Sequence, residues 1–469
     1  MDALRKDLPS DWLPARYRAD GPLLRDLFLL ALAVRALAII PVLWAFAAGE
    51  PPYLGGDWGA FHEWAKGILS GAGMLADGLP TAEYTPLYPL FIAGVYAMAG
   101  VSPWAVLAAQ TVLGALACPI VAAAAGKLGG GAGGAGRTGG AGRKCAAVAG
   151  LLYALYPPFI KAEHLVMTEA LYVFWVIVCL WVLVRLNRRF SWGGMALLGL
   201  AGALGSLTKP SLAIFPVVCG AALVVRDWAR TKDFWEPAGK GLVLALVFAA
   251  VLSPWVVRNY GIFGRFVPLG TEGGAVFYDG VNLKDDWKPG FRTKDAVTAR
   301  AARIASEPER SAFLMGAGLK KITSDPSRLP RLLAVKAAFF WSPFDWEIFL
   351  DGTYSFGFVF LLPFAVCAFL KRRPADGMGR DDGWRALRLW PAWGIVIYYF
   401  LLGIAFIGSP RLRLPAEAGI LVLAALGIVR LLETSRRGTF WTASGAWMAV
   451  NLGVFFLSDA LRSMLRGIF

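Results

Sequence analysis

The chain has 469 residues, 57% of them hydrophobic and only 17% charged, whereas soluble domains are nearer half apolar and a quarter charged. Apolar runs of spanning length recur from end to end, which excludes a soluble enzyme on a single anchor and points to a polytopic membrane protein. The net charge of +15 reads, at this hydropathy, as basic loops at an anionic membrane face rather than as a nucleic-acid surface.

The N-terminus mixes acidic and basic residues before a first apolar run that is too long for a signal-peptide core, so that run is expected to stay in the protein. Candidate spans follow at roughly 22–46, 103–126, 145–162, 164–185, 191–207, 211–226, 240–256, 353–370, 387–408, 414–430 and 438–457. The fold class expected is therefore all-α and polytopic, with about eleven transmembrane helices. The short run "PLYPLFIAGVYAMAG" (86–100), with Pro86 and Pro89, is read as a juxtamembrane or re-entrant helix. Basic loops lie at the N-terminus and at 127–144, 185–189, 226–232, 371–373 and 430–437, and the alternate loops are nearly bare of positive charge. The basic set, with the N-terminus, is expected on the cytoplasmic side.

One membrane-embedded domain, 1–469, is the simplest organisation. Its expected parts are a first outer loop at 47–100, a flexible Gly-rich cytoplasmic loop at 129–142 and a long outer loop at 257–335. Four of the five cysteines, Cys118, Cys179, Cys219 and Cys367, fall in apolar runs, and Cys145 does not. None has metal-ligand spacing, which argues against a disulfide framework or a zinc site.

In the first outer loop, "GGDWGAFHEWAKGILSGAG" places Phe61, Trp64, Ala65, Ile68 and Leu69 on one face of a short helix and His62, Glu63 and Lys66 on the other. Asp57 precedes that helix, where capping is the plain reading. Lys209, at the proline break of "SLTKPSLAIFP", must snorkel or pair with a carboxylate such as Asp57. In "YPPFIKAEHLVMTEALYVFW", Glu163, His164 and Glu169 stand where two spans meet, and Glu169 is expected slightly inside the membrane. Arg258, Asn259 and Tyr260 are expected to leave the membrane together after "SPWVV", as an aromatic-belt anchor or as part of a site. Arg411 and Arg413 in "GSPRLRLPAEAG" run against the charge trend of the outer loops; a bound phosphate or a structural pairing accounts for them.

These motifs, in this order, resemble the GT-C superfamily of integral-membrane glycosyltransferases, especially its protein O-mannosyltransferase and aminoarabinose-transferase-like branch. The matching features are the first-loop aspartate and its helix, the prolines Pro86 and Pro89, "MTEAL", "TK" at Lys209, "PWVVRNY" and "PRLRLPAEAG". The resemblance implies that Asp57 is the catalytic base and that Lys209 orients it. It also implies that Arg258 and Arg411 or Arg413 hold the phosphate of a polyprenyl-phosphate-linked sugar. The chain departs from that pattern at Ala60 and Thr85, where the aminoarabinose-transferase branch has positive residues, and at Trp58, where the mannosyltransferases carry the second residue of an Asp-Glu pair.

The function expected is transfer of a sugar from a lipid-linked donor to an acceptor hydroxyl on the extracytoplasmic face, with inversion, by Asp57 and Lys209. Glu63, His164, Glu169, Arg258, Asn259, Tyr260, Arg411 and Arg413 are the candidate substrate-binding residues. The acceptor is a protein, glycolipid or polysaccharide, the setting a bacterial plasma membrane, and no cofactor is called for. Asp285 and Asp286 in "LKDDWKPG" read as a solvated pair rather than a divalent-ion site. The competing classes are a transporter or flippase of an anionic glycolipid, which usually shows repeated halves, and a non-catalytic protein of the same fold.

Overall fold

Nearly all of the apolar sequence becomes helix, because in lipid each segment must satisfy its own backbone polar groups. The computed structural model describes residues 17–47, 57–130, 140–282, 293–345, 353–369, 385–434 and 437–457. Among these, strand is confined to two short antiparallel ladders. Leu75–Ala76 (β1) pairs with Leu79–Pro80 (β2), and Phe344–Asp345 (β3) with Thr353–Tyr354 (β4).

Helices α1 (Tyr17–Ala38) and α2 (Ile40–Ala47) occupy the first predicted span and are separated at Ile39. The first loop supplies α3 (Trp58–Leu69) and α4 (Leu87–Ala99). Next come α5 (Pro103–Gly129), α6 (Gly140–Ala154), α7 (Pro157–Glu163), α8 (Glu169–Arg188), α9 (Trp192–Thr208), α10 (Ile214–Thr231) and α11 (Trp235–Phe263). The long loop folds into α12 (Gly273–Val281), α13 (Ala296–Ala301), α14 (Glu307–Ser324) and α15 (Leu329–Phe340). The chain closes with α16 (Phe356–Cys367), α17 (Arg385–Ala405), α18 (Pro410–Thr434) and α19 (Arg437–Phe456).

Six helices among the described residues are long and apolar enough to cross a bilayer: α5, α8, α10 with its leading turn, α11, α17 and α18. The pair α6 and α7, bent by 52°, raises this to seven if it forms one span. The protein is thus an all-α polytopic membrane protein. The other stretches expected to span are also helical, but α9 and α16 are short, and α1 carries Arg25, Asp26 and Arg35.

Two differences from the sequence reading bear on function. Helix α8 begins at Glu169, not near 164, because residues 164–168 are unwound. Helix α11 runs on to Phe263, so Arg258, Asn259 and Tyr260 lie in its last turns rather than beyond it. The glycine-rich loop falls largely at 131–139, outside the described residues, as do Asp285 and Asp286.

The centre of the bundle is α18, with 89% of its apolar window buried, and α8, with 72%; α11 lies at the edge with 22%. Helix α18 packs against α5, α6, α8, α16 and α17. Its approach to α16 requires Gly427, where a Cβ would lie 1.8 Å from the Phe364 carbonyl oxygen; small residues at such crossings let backbones meet. Because α8 and α18 start at the same end of the bundle, Glu169 at the first position of α8 and Arg411 at the second of α18 are brought together.

Candidate active site

Asp57 stands at the N-cap position of α3, but its backbone is helical (φ −97°, ψ −3°) and its side chain makes no capping hydrogen bond. Residues that cap normally adopt extended backbone so that the side-chain oxygen reaches the second or third amide. At α18 the Ser409 Oγ makes such a contact, accepting from the Leu412 amide at 3.3 Å. The capping reading of Asp57 is therefore overturned. Its carboxylate faces Arg411 instead, with Oδ2 3.8 Å from Nη2. The apolar side of α3 fixes this placement. Phe61, Trp64 and Ala65 are buried, and the Phe61 ring packs edge-on against Tyr84 and Tyr88.

Arg411 follows Pro410 at the start of α18, where the helix dipole disfavours a cation. Carboxylates offset this. Arg411 Nε donates to Glu169 Oε1 at 2.7 Å, and Lys209 Nζ donates to the same oxygen at 3.2 Å. Glu169 lies in the first turn of α8, which favours a negative charge. Lys209 ends α9 with extended backbone (φ −153°, ψ 124°), as a residue before proline prefers. The carboxylate partner of Lys209 is thus Glu169 and not Asp57, and Lys209 meets Asp57 only through Glu169 and Arg411. Beneath it, the Tyr172 hydroxyl bonds Ser211 Oγ at 2.7 Å and the Tyr399 hydroxyl at 2.6 Å.

The break before α8 is held from behind. Gln110 Nε2 donates to the carbonyls of Glu163 and Leu165 at 2.9 and 2.8 Å, and the Tyr88 hydroxyl donates to Gln110 Oε1 at 2.7 Å. Glu163 itself is buried in an ion pair with Arg35, at 2.5 Å. Its seat depends on Gly114, where a Cβ would lie 2.1 Å from the carboxyl carbon. These contacts fix where Glu169 begins its helix. Side-chain exposure is 3% at Glu169 against 17% at Asp57, 14% at Arg411 and 24% at Lys209. The cluster is recessed, and Lys209, Asp57 and Arg411 rather than Glu169 keep contact with solvent.

The long loop packs against the first loop beside this cluster. Glu307, at the start of α14, accepts from Thr81 Oγ1 at 2.6 Å, the Ala82 amide at 2.9 Å and Thr271 Oγ1 at 3.0 Å. The Thr271 amide donates to the Ala82 carbonyl at 2.9 Å. Glu272 then faces Tyr84, whose hydroxyl donates to its Oε1 at 3.4 Å. Burial, with Glu83 and Asp57 adding to it and Lys209 and Arg411 opposing, pushes the Glu272 carboxyl up to about 7. Burial and the neighbouring carboxylates push the Tyr84 hydroxyl up as well. Tyr84, Glu272 and Glu307 are not among the sequence candidates. The signal available for Tyr84 was its position two residues before Pro86; for Glu272 and Glu307 there was none.

Other predicted residues are used elsewhere. Arg413 is buried, with Nε on Glu417 at 2.7 Å, Nη1 on the Phe340 and Ser342 carbonyls at 2.7 and 2.8 Å, and its guanidinium over Phe358. Of the two readings of that arginine, structural pairing holds. His164 is likewise buried, its ring nitrogens on the carbonyls of Ile160 at 2.6 Å and Arg35 at 3.0 Å. Glu63 is exposed on the outer face of α3, paired with Lys66 at 3.0 Å. Asn259 is buried and donates to the Val267 and Leu269 carbonyls, closing the turn after α11. Tyr260 is exposed. Arg258 stacks over Trp255 and donates to the Thr81 carbonyl at 3.0 Å, so it joins the loop clamp rather than the Glu169 cluster. Asp57, Glu169, Lys209 and Arg411 are the predicted residues that the fold gathers.

Residues 83–257 match the family model described as dolichyl-phosphate-mannose-protein mannosyltransferase. That segment carries Tyr84, Glu169 and Lys209, starts after Asp57 and ends before Arg258. No curated protein matches the chain. The solved structure of ArnT from Cupriavidus metallidurans bound to undecaprenyl phosphate is similar over 88% of this chain and 78% of that one, at 16% identity and a TM-score of 0.39. The same protein in the apo state is similar over 80% and 73%, at 17% identity and a TM-score of 0.34. The family match bears out, over residues 83–257, the resemblance to the GT-C superfamily of integral-membrane glycosyltransferases.

Proposed function

We propose that the protein transfers a sugar from a polyprenyl-phosphate-linked donor to an acceptor hydroxyl at the extracytoplasmic face of a bacterial plasma membrane. The observation that carries this reading is the Asp57 carboxylate, released from capping and set in a recessed opening beside Arg411. The family description, which names a lipid-phosphate-linked mannose as donor, supports the same reaction class.

The acceptor oxygen attacks the anomeric carbon while Asp57 takes its proton. The bond from that carbon to the phosphate oxygen breaks, and the phosphate leaves with the electron pair. Arg411 and Lys209, held in place by Glu169, stabilise the negative charge that grows there. Asp57 serves as base with no second carboxylate cast as a nucleophile, which favours a single displacement with inversion. Preorganised cations in a recessed site need no reorganisation during the step, which is where such catalysis gains most. The basic loops of the opposite bundle end set the orientation, with the N-terminus cytoplasmic.

The test is release of free polyprenyl phosphate by the purified protein in lipid, supplied with a panel of radiolabelled polyprenyl-phosphate sugars and an envelope extract as acceptor. Asp57→Asn is expected to lower turnover by about 10²- to 10⁴-fold, the usual contribution of a positioned base, with donor binding retained. Turnover unchanged in that variant would overturn the role of Asp57. Donor carried across the membrane without release of polyprenyl phosphate would mark a transporter of anionic glycolipid instead.

A further inference from the structure

Glu272 comes from the long loop, far in sequence from the helices that build the cluster, and three contacts fix it there. Thr271, the residue before it, is tied through its amide to the Ala82 carbonyl and through its hydroxyl to Glu307. Glu307 in turn holds Thr81 and the Ala82 amide. Tyr84, two residues further on, meets Glu272 Oε1. Among the described residues Glu272 Oε1 accepts from Tyr84, no hydrogen bond involves its other carboxyl oxygen, and the residue is half-buried. Glu272 starts α12 without capping it. The backbone before Glu272 is clamped through Thr271, and its side chain, held by one long hydrogen bond with one oxygen unspent, is placed for recognition.

Charge decides which form of Glu272 suits the donor. The groups that face it are Tyr84 and Glu83 from the first loop, Asp57 before α3, Lys209 after α9 and Arg411 at the start of α18. Glu169 lies behind them, already shared by both cations. Among the described residues, Lys209 and Arg411 are the cations that act on Glu272, and Glu83 and Asp57 are the carboxylates that act against them. An ionised Glu272 would put one more negative charge against an anionic phosphodiester.

We propose, resting on the function above, that Glu272 is a donor-recognition residue whose neutral carboxyl donates a hydrogen bond from its free oxygen to the lipid-linked phosphate. Asp57 remains the base, and Glu272 makes the loop a part of the donor site. The neighbouring carboxylates and burial favour the neutral form, which titrates at about 7. The sign follows directly. Donor binding is full below that value and is lost as pH rises through it, because the competent fraction falls.

The test is equilibrium binding to the full-length protein in nanodiscs between pH 6 and pH 8. The probes are polyprenyl mannosyl phosphate and polyprenyl arabinosyl phosphate, phosphodiesters whose own charge is constant over that range. Wild-type affinity is expected to fall about tenfold from pH 6 to pH 8. Glu272→Gln, neutral at every pH, is expected to keep the pH 6 affinity throughout, and Glu272→Ala to bind weakly and without pH dependence. A flat wild-type profile overturns the proposal even if neither variant folds. So does a Glu272→Gln variant that retains the wild-type slope. Wild type that binds neither probe at any pH overturns the donor class, and this inference with it.

Discussion

Arg411 and Arg413 stand two residues apart at the start of one helix, and the fold spends them in opposite ways. Residues so spaced do not share a helix face. Arg411 points toward the starts of α3 and α8, where it divides itself between Glu169 and Asp57 and keeps 14% of its side chain exposed. Arg413 points toward α15 and α16, where Glu417, two backbone carbonyls and the Phe358 ring leave 1% exposed. The Arg35–Glu163 pair is closed in the same manner, at 0% and 4%. A closed pair is sealed from solvent and spends its charge on neighbouring helices. An open one, whose members keep 14–24% of their side chains exposed around Glu169, has room to meet a ligand.

The largest effect that separates the two is on stability. Arg413→Ala removes one partner of the buried ion pair with Glu417, a loss that costs about 3–5 kcal/mol. Arg411→Ala leaves Glu169 paired with Lys209, so it is expected to melt near the wild-type temperature while donor turnover collapses. Thermal melts in detergent beside the polyprenyl phosphate release assay would read both. Equal destabilisation by the two variants would break the comparison, because Arg411 would then be structural as well.

A subtler change sharpens it. Arg411→Lys keeps the charge but loses the planar fork that meets Glu169 through Nε and Asp57 through Nη2. Turnover is expected to fall by about tenfold to a hundredfold, on the order of 1.4–3 kcal/mol, with little change in the melt. The same change at Arg413 also breaks a fixed set of contacts, but there it should appear in the melt and not in the turnover of the folded fraction. A rate unaffected by Arg411→Lys would show that only the charge at that position counts.

Much of this was legible in the sequence for one physical reason: an ionisable residue inside or beside an apolar run is conspicuous. Asp57, Glu169, Lys209 and Arg411 stood out on that ground, as did the helices that carry them. What the spacing could not resolve was pairing across the fold. It left Lys209 to choose between solvent and a carboxylate such as Asp57, and the answer, Glu169, depends on where α8 begins. It left Arg411 and Arg413 equivalent, although the packing of α15 and α16 decides between them. Glu272 and Glu307 sit in a stretch of ordinary loop composition, and their meaning comes wholly from residues far away in the chain. His164 looked like a site residue because it is polar at a junction of spans, but its ring is spent on the carbonyls of Ile160 and of Arg35 in α1.

The smallest effect tests how far the open cluster extends. Tyr84 touches Glu272 by its hydroxyl alone, while its ring packs on Phe61 and Trp64. Tyr84→Phe therefore keeps the packing and deletes one hydrogen bond, a change of about 0.5–1.5 kcal/mol. If Tyr84 belongs to the ligand-facing set, donor affinity drops by about two- to tenfold, with the melt unchanged, since the contact is made at a recessed but wetted surface. If Tyr84 is only a wall of the aromatic packing, the affinity stays put and neither measurement moves. The second result would draw the edge of the site inside Tyr84 and leave Glu272 to be held by the Glu307 clamp alone.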